Sequence, residues 1–325
     1  MTPSEVAVTI RRGTAADEPA ILDLLRDALG WRDARDPELF SWKHSNPAFG
    51  PSPFWVAVAD EAVVGLRILM RWEFELGDRV VRAARAVDTA THSAFRRRGL
   101  FSRLATQALE ELGAEGVEFV FNTPNQNSRP GYLRLGWEVV GRLPVAVRPT
   151  SLRAGLRIIR ARVPAEQWSE ASTAGVPAAD VLNERDLVTG LLASRPRATR
   201  LRTRLSLEHL AWRYGPSFLG YRALADADGS GLAIFRVRRR GGAREAVLCD
   251  VLVPEDDHRL RRKMVRQVAR AAGADYAIGM SPRAGADGLV LLPRQGPILT
   301  WRGLTSASMP RRREWQLTMG DIERL

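Results

Sequence analysis

The chain has 325 residues, 45% of them hydrophobic, and a formal net charge of +12 at pH 7 with a pI near 11.0. Such a length and apolar content support a buried core and two domains rather than one. One cysteine, Cys249, and four scattered histidines, His44, His92, His209 and His258, exclude a disulfide and give no metal-ligand spacing, so no catalytic metal is expected.

The chain opens with a strand in "VAVTIRRG" and a helix in "TAADEPAILDLLRDALG", where Ile21, Leu24, Leu25 and Leu29 share one face and Gly30 marks the stop. After a loop, residues 54–92 read as strands broken at Asp60-Glu61 and Gly77-Asp78, an antiparallel meander. "FRRRGLFSRL" then leads into a helix whose face is Leu100, Leu104, Ala108 and Leu112. The strand "VEFVFNTP", a short helix and a strand pair follow. No run of 18 apolar residues occurs and the N-terminus lacks a signal-peptide pattern, so a cytoplasmic protein without a membrane partner is expected.

Between 146 and 205 prolines interrupt arginine-rich helical pieces such as "SLRAGLRIIRARV", which reads as a connector. Residues 206–325 then echo residues 1–145. "LAWRYGPSFLGYRALADADGSGLAIFRV" lies over "FSWKHSNPAFGPSPFWVAVADEAVVGLRIL", with Trp212 against Trp42, and "AREAVLCDVLVPEDDHRLRRKM" lies over "ARAVDTATHSAFRRRGLFSRL". The second copy lacks the glycine of the first loop, so any anion site there belongs to the first copy alone. The expected fold is α/β, in two lobes that each have a mixed, mostly antiparallel sheet flanked by helices.

A loop that leaves a strand and opens a helix offers free backbone N–H groups and the positive end of the helix dipole. Gly99 removes the Cβ that would hold a diphosphate away, and Arg96, Arg97 and Arg98 surround it with charge. Arg96, Gly99 and Phe101 stand where an Arg/Gln-x-x-Gly-x-Gly/Ala signature has its fixed positions, with Phe101 departing from the small residue and Ser102 just after it. Further on, Asn125, Ser128, Tyr132, Gly136 and Trp137 keep the spacing of a second signature. With these two motifs the chain resembles the GNAT superfamily of acyl-coenzyme A-dependent N-acetyltransferases. The tandem form is also similar to the enhanced intracellular survival aminoglycoside acetyltransferases, without room for their additional C-terminal domain.

The resemblance implies that acetyl-CoA is the co-substrate, with its pyrophosphate on the amides of Arg97, Arg98, Gly99, Leu100, Phe101 and Ser102. It further implies that Arg96, Asn125 and Ser128 belong to the cofactor site, and that the pantetheine arm runs along "VDTATH" where that strand splays from "VEFVFN". Thr89, Ala90 and Thr91 then supply oxyanion-binding amides, and Tyr132 protonates the departing thiolate. Asp88, in a small apolar strand segment, His92 at its end and Glu73 on the preceding hairpin are the candidates for a base. Trp42 and Trp55 fit either an acceptor pocket or the core. The tail "EWQLTMGDIERL" reads as a last strand and an acidic turn, where Asp321, Glu323 and the carboxylate of Leu325 would meet an amine only if the tail returned to the cleft.

The function expected is N-acetyl transfer to a primary amine of a small molecule or peptide, by a monomer or homodimer. A Fem-like aminoacyl-tRNA-dependent transferase is the alternative enzyme. A nucleic-acid-binding or regulatory module using "LRIIRARV" and "RPRATRLRTRL" is the non-enzymatic one. The positive charge is almost wholly arginine, with lysine only at Lys43 and Lys263. A skew of this kind follows genomic base composition, so nucleic acid is not among the expected partners.

Overall fold

The computed structural model describes residues 7–151, 163–254, 257–281 and 283–323. In chain order its elements begin with β1 (Thr9–Arg12), α1 (Glu18–Leu29), α2 (Asp36–His44), β2 (Phe54–Ala59), β3 (Ala62–Gly77) and β4 (Arg79–Thr91). There follow α3 (Leu100–Ala114), β5 (Phe119–Asn122), α4 (Arg129–Arg134), β6 (Glu138–Arg142), β7 (Val145–Pro149), β8 (Val176–Pro177), α5 (Ala178–Asn183) and α6 (Arg185–Ala193). The chain continues through β9 (Ala198–Thr203), α7 (Leu207–Tyr214), β10 (Arg222–Ala225), β11 (Leu232–Arg240), β12 (Ala243–Leu252), α8 (His258–Ala271), β13 (Tyr276–Met280), β14 (Val290–Leu291) and β15 (Ile298–Gly303).

Two mixed sheets flanked by helices result, one running β1-β2-β3-β4-β5-β15-β6 and the other β14-β7-β13-β12-β11-β10-β8. Local chemistry sets the elements of the first. Pro19 starts α1, and Gly30 at φ 75° ends it by donating to the Arg26 carbonyl. Asp60 and Glu61, with φ 46° and 63°, form the tight left-handed turn that brings β3 back antiparallel to β2. The apolar stripe of α3, with Leu104, Ala108 and Leu112 all nearly inaccessible, packs with Trp55, Leu69 and Val120 of the sheet. Each such large side chain contributes about 1.5–3 kcal/mol by leaving water.

Each half of the chain finishes the other half's sheet. β4 and β5 are parallel neighbours, and the strand beyond β5 is β15, antiparallel with Trp301 opposite Phe121. In the second sheet β12 and β13 are the parallel pair, and the strand beyond β13 is β7, with Val147 opposite Ile278. The compact units therefore differ from the contiguous blocks 1–145 and 206–325. The first unit takes in residues 298–310, while the second takes in 75–80, 142–297 and 311–325. The segment 146–205, expected as a connector, supplies β7, β8, α5, α6 and β9, and most of its helical stretch "SLRAGLRIIRARV" lies outside the described residues. Alternation read locally cannot show which sheet a strand joins, because pairing partners are chosen by non-local packing.

The tail also departs from expectation. Trp315 forms an isolated bridge to Leu201 in place of a strand, and a short turn at Met319–Asp321 follows. Asp321 and Glu323 are 3% and 6% exposed inside the second unit, where Glu323 pairs with Arg236 and Arg238. Glu323 is thus a buried ion-pair group, and Asp321 accepts from Thr203 Oγ1 and the Thr318 amide.

Candidate active site

β4 and β5 pair only from Ala83–Phe119 to Arg85–Phe121, and beyond this point the two strands diverge. Three residues further along β4, Asp88 has φ 34°, a conformation rare outside glycine. That irregularity re-aims the backbone leading into Thr89, Ala90 and Thr91, past the point where the β4–β5 pairing ends, as bulges re-aim an edge.

Next in the chain, the short turn Ser93–Phe95 is capped by His92, whose Nδ1 accepts from the Ala94 amide at 3.4 Å. Arg97 and Gly99 then both take left-handed conformations, φ 65° and 72°. Gly99 is the N-cap of α3 and has no side chain with which to cap the first-turn amides of Leu100, Phe101 and Ser102. A Cβ at Gly99 would meet nothing within 4 Å, and Arg96, Arg97 and Arg98 are exposed around it. Open space, a helix start uncapped by its N-cap residue and three exposed cations are the features that an anion such as pyrophosphate requires.

After β5, Asn125 Oδ1 accepts from the amides of Asn127 and Ser128 and from Ser128 Oγ, at 2.9–3.1 Å. This turn launches α4, which buries Tyr132 against Phe101 and Trp137. Asn125 and Ser128 thus fix the direction of the tyrosine.

Sequence reading missed the residue that holds Tyr132. Arg67 on β3 is fully buried, and its Nη1 donates to the Tyr132 hydroxyl at 2.7 Å and to Thr89 Oγ1 at 2.9 Å. The guanidinium lies among the rings of Phe101, Tyr132 and Trp137, while its Nε and Nη2 find no hydrogen-bond partner among the described residues. A burial of this kind costs free energy, since each unsatisfied donor forfeits its hydration. No sequence signal marks it out, because a lone arginine in a strand usually faces water.

Asp88 is gripped from α2, a helix that falls where the sequence reading had a loop. Lys43 Nζ lies 2.5 Å from its Oδ2 and His44 Nε2 lies 2.9 Å from the same oxygen, with His44 Nδ1 on Ser52 Oγ at 3.1 Å. Burial pushes the Asp88 carboxyl up, but the Lys43 charge and the His44 hydrogen bond outweigh it and hold the group well below the usual carboxylate range. Burial also lowers the pKa of His44 and keeps the ring neutral. One signal did exist, since Lys43 is one of two lysines in a chain that otherwise uses arginine.

The second unit repeats this arrangement. Its parallel pair ends at Val247–Ile278, and Asp250 again lies three residues beyond. The Tyr214 hydroxyl at the end of α7 donates to Asp250 as His44 at the end of α2 bonds Asp88. With no lysine beside it, Asp250 moves the other way: burial and then the charge of Asp321 raise it to about 6. The second helix start differs too, because Asp257 Oδ1 already accepts the amides of Arg259 and Leu260.

Among the remaining candidates, Trp55 is fully buried and Trp42 is 8% exposed, which makes both part of the core. Glu73 is half-buried on β3. Three arginines of "RPRATRLRTRL" have carboxylate neighbours. Arg202 and Arg195 share Glu75 at 2.6 and 3.6 Å, and Arg197 pairs with Asp78. No group of three or more metal-ligating side chains occurs among the described residues, and no described helix is long and apolar enough to cross a membrane.

Residues 9–140 match the family model described as "Acetyltransferase (GNAT) domain". Over that stretch the chain matches a GNAT acetyltransferase domain, which supports an acyltransferase. Among solved structures it is similar to a probable N-acyltransferase of Enterococcus faecalis V583, with 12% identity, a TM-score of 0.67, and 92% of this chain and 72% of the other covered. It is also similar to GCN5-related N-acetyltransferases from Kribbella flavida (18% identity, TM-score 0.61, 92% and 71% covered) and from Anabaena variabilis ATCC 29413 (12%, 0.61, 92% and 73%). At these identities the likeness is one of fold. No curated protein matches the chain.

Proposed function

We propose that the protein moves the acetyl group of acetyl-CoA to a primary amine of a small molecule or peptide, by direct attack in the cleft between β4 and β5. The observation that carries this reading is the Gly99 cradle at the head of α3, open and cationic, beside a splayed strand pair and a buried tyrosine. Bound there, acetyl-CoA supplies an activated thioester.

The chain's own residues then have distinct tasks. Amides of Leu100, Phe101 and Ser102, with Arg96, Arg97 and Arg98, hold the pyrophosphate. Backbone amides of Thr89 to Thr91 bind the developing oxyanion, fixed in place by the Asp88 turn. Tyr132 holds the proton destined for the leaving sulfur. Arg67 is a positioning residue: it accepts no proton, but it fixes the Tyr132 oxygen and keeps a positive charge beside the place where negative charge develops.

Asp88 serves in this reading as an anchor of the bulge rather than as a base. A carboxylate already bonded to Lys43 and His44 has little tendency to take a proton, and Asp250 occupies the same place in the unit whose helix start is blocked by Asp257. His92 caps its own turn. The acceptor accordingly enters as the neutral amine, so the pH dependence of kcat/KM follows the acceptor's own pKa.

Release of coenzyme A thiol in the presence of a panel of primary amines tests the proposal. Amine-dependent release that disappears in Tyr132→Phe supports it; release indifferent to the amine, or unchanged in that variant, contradicts it.

A further inference from the structure

The second unit contains a cavity of about 150 Å³ lined by none of the residues given a task in the transfer above. It is lined by the end of β12, the end of β13 and the start of α8, so it occupies in its own sheet the place that the β4–β5 cleft occupies in the first. Its chemistry is different. Asp257 has already satisfied the helix start, and no left-handed glycine precedes it.

The carboxylates around the cavity are engaged within the unit. Asp287 accepts from Ser281 Oγ at 2.5 Å and has His258 Nδ1 at 2.8 Å, while Asp321 accepts from Thr203 Oγ1 and from the Thr318 amide at 2.6 Å. Asp250 accepts from Tyr214.

The arginines are less well matched. Arg195, 15% exposed, meets a carboxylate oxygen only at 3.6 Å, and that oxygen of Glu75 is already held at 2.6 Å by Arg202. Burial first, and the Arg202 charge second, lower the pKa of Arg195 even with Glu75, Asp250 and Asp321 nearby. Arg200 lines the same cavity and has no carboxylate partner among the described residues.

We propose that this cavity is a second binding site, which takes a small molecule through a carboxylate or phosphate group held by Arg195 and Arg200. A guanidinium presents donors in a planar fork that matches either group, and inside a cleft the pairing is strengthened by exclusion of water. The volume lies below the ~300 Å³ typical of sites for drug-sized ligands. It therefore suits a small organic acid or a phosphate monoester and not coenzyme A.

Thermal unfolding of the full chain with inorganic phosphate and with malonate, each against sodium chloride at equal ionic strength, tests the site. A ligand that binds the folded state raises the Tm in a saturable way. The expected result is such a rise with at least one of the two anions, kept in Gly99→Glu, where the α3 cradle is blocked, and lost in Arg195→Gln and Arg200→Gln. A response to phosphate alone assigns a phosphate ligand, and a response to malonate alone assigns an organic acid. The half-buried Arg200 side chain makes Arg200→Gln the deciding variant if Arg195→Gln does not fold. No rise beyond chloride, an equal rise in Arg200→Gln, or loss of the rise in Gly99→Glu overturns the proposal.

Discussion

Arg67 Nη1 donates to the Tyr132 hydroxyl at 2.7 Å from a position with no access to solvent. Two of the three guanidinium nitrogens have no hydrogen-bond partner among the described residues, so the contact is held at a cost to the fold. Arg67→Met should therefore leave stability unchanged or raise it by about 1 kcal/mol, while kcat falls at least about tenfold, since Tyr132 loses its fixed position. Tyr132→Phe should lower kcat by about 10²-fold or more with KM for acetyl-CoA little changed, the signature of a lost proton donor. Urea unfolding and steady-state kinetics on the same preparations check both.

The Lys43–Asp88–His44 cluster makes an opposite prediction. Lys43 and Asp88 side chains are 5% and 12% exposed. Removing one partner strands a buried charge, so Lys43→Met should destabilise the protein by about 3–5 kcal/mol, and the double variant Lys43→Met/Asp88→Asn should recover part of the loss. Full additivity of the two changes in denaturant titrations would show that the groups are not coupled.

Asp250 gives a pH signature. Its folded-state pKa is raised from 3.8 to about 6 by burial and by Asp321, so the folded protein binds the proton more tightly than the unfolded chain. The contribution is present below about pH 4 and is lost as pH rises through 6. Asp250→Asn keeps a neutral group there at every pH. The variant should therefore be the more stable form above pH 6, by an amount of the order of 3 kcal/mol, with the advantage vanishing near pH 4. Tm measured from pH 4 to 8 for both proteins decides.

Strand exchange makes the two halves inseparable. β15 lies on the outer side of β5 with Trp301 only 5% exposed, so a fragment ending at residue 145 leaves the β5 edge and Phe119 uncovered. Such a fragment should aggregate or bind hydrophobic dyes, as unpaired apolar edges do. A folded, cooperative fragment in thermal unfolding would contradict the pairing.

Much of the first unit is legible in the sequence because it is built from local signals. Turn residues at Asp60-Glu61, the stripe of Leu104, Ala108 and Leu112, and the two spaced motifs around Gly99 and Tyr132 each act within a few residues of themselves. The illegible parts are contacts made across the chain. The short α2 carries an apolar, aromatic and basic mixture with no clean periodicity, so Lys43 and His44 cannot be placed against Asp88 before the fold is known. Arg67 is hidden for the same reason. The exchange of β7 and β15 depends on which sheet edge is free, a property no single strand records.

The central claim is that the loop at Gly99 holds the cofactor. Isothermal titration of the native protein and of Gly99→Glu with acetyl-CoA tests it most directly, because the substitution places a negative charge in the cradle and strains its left-handed turn without meeting any neighbouring atom. The account predicts one-to-one binding by the native protein, weakened at least about tenfold, or 1.4 kcal/mol, in the variant. Equal affinity in the two proteins, or no binding by the native one, would contradict it.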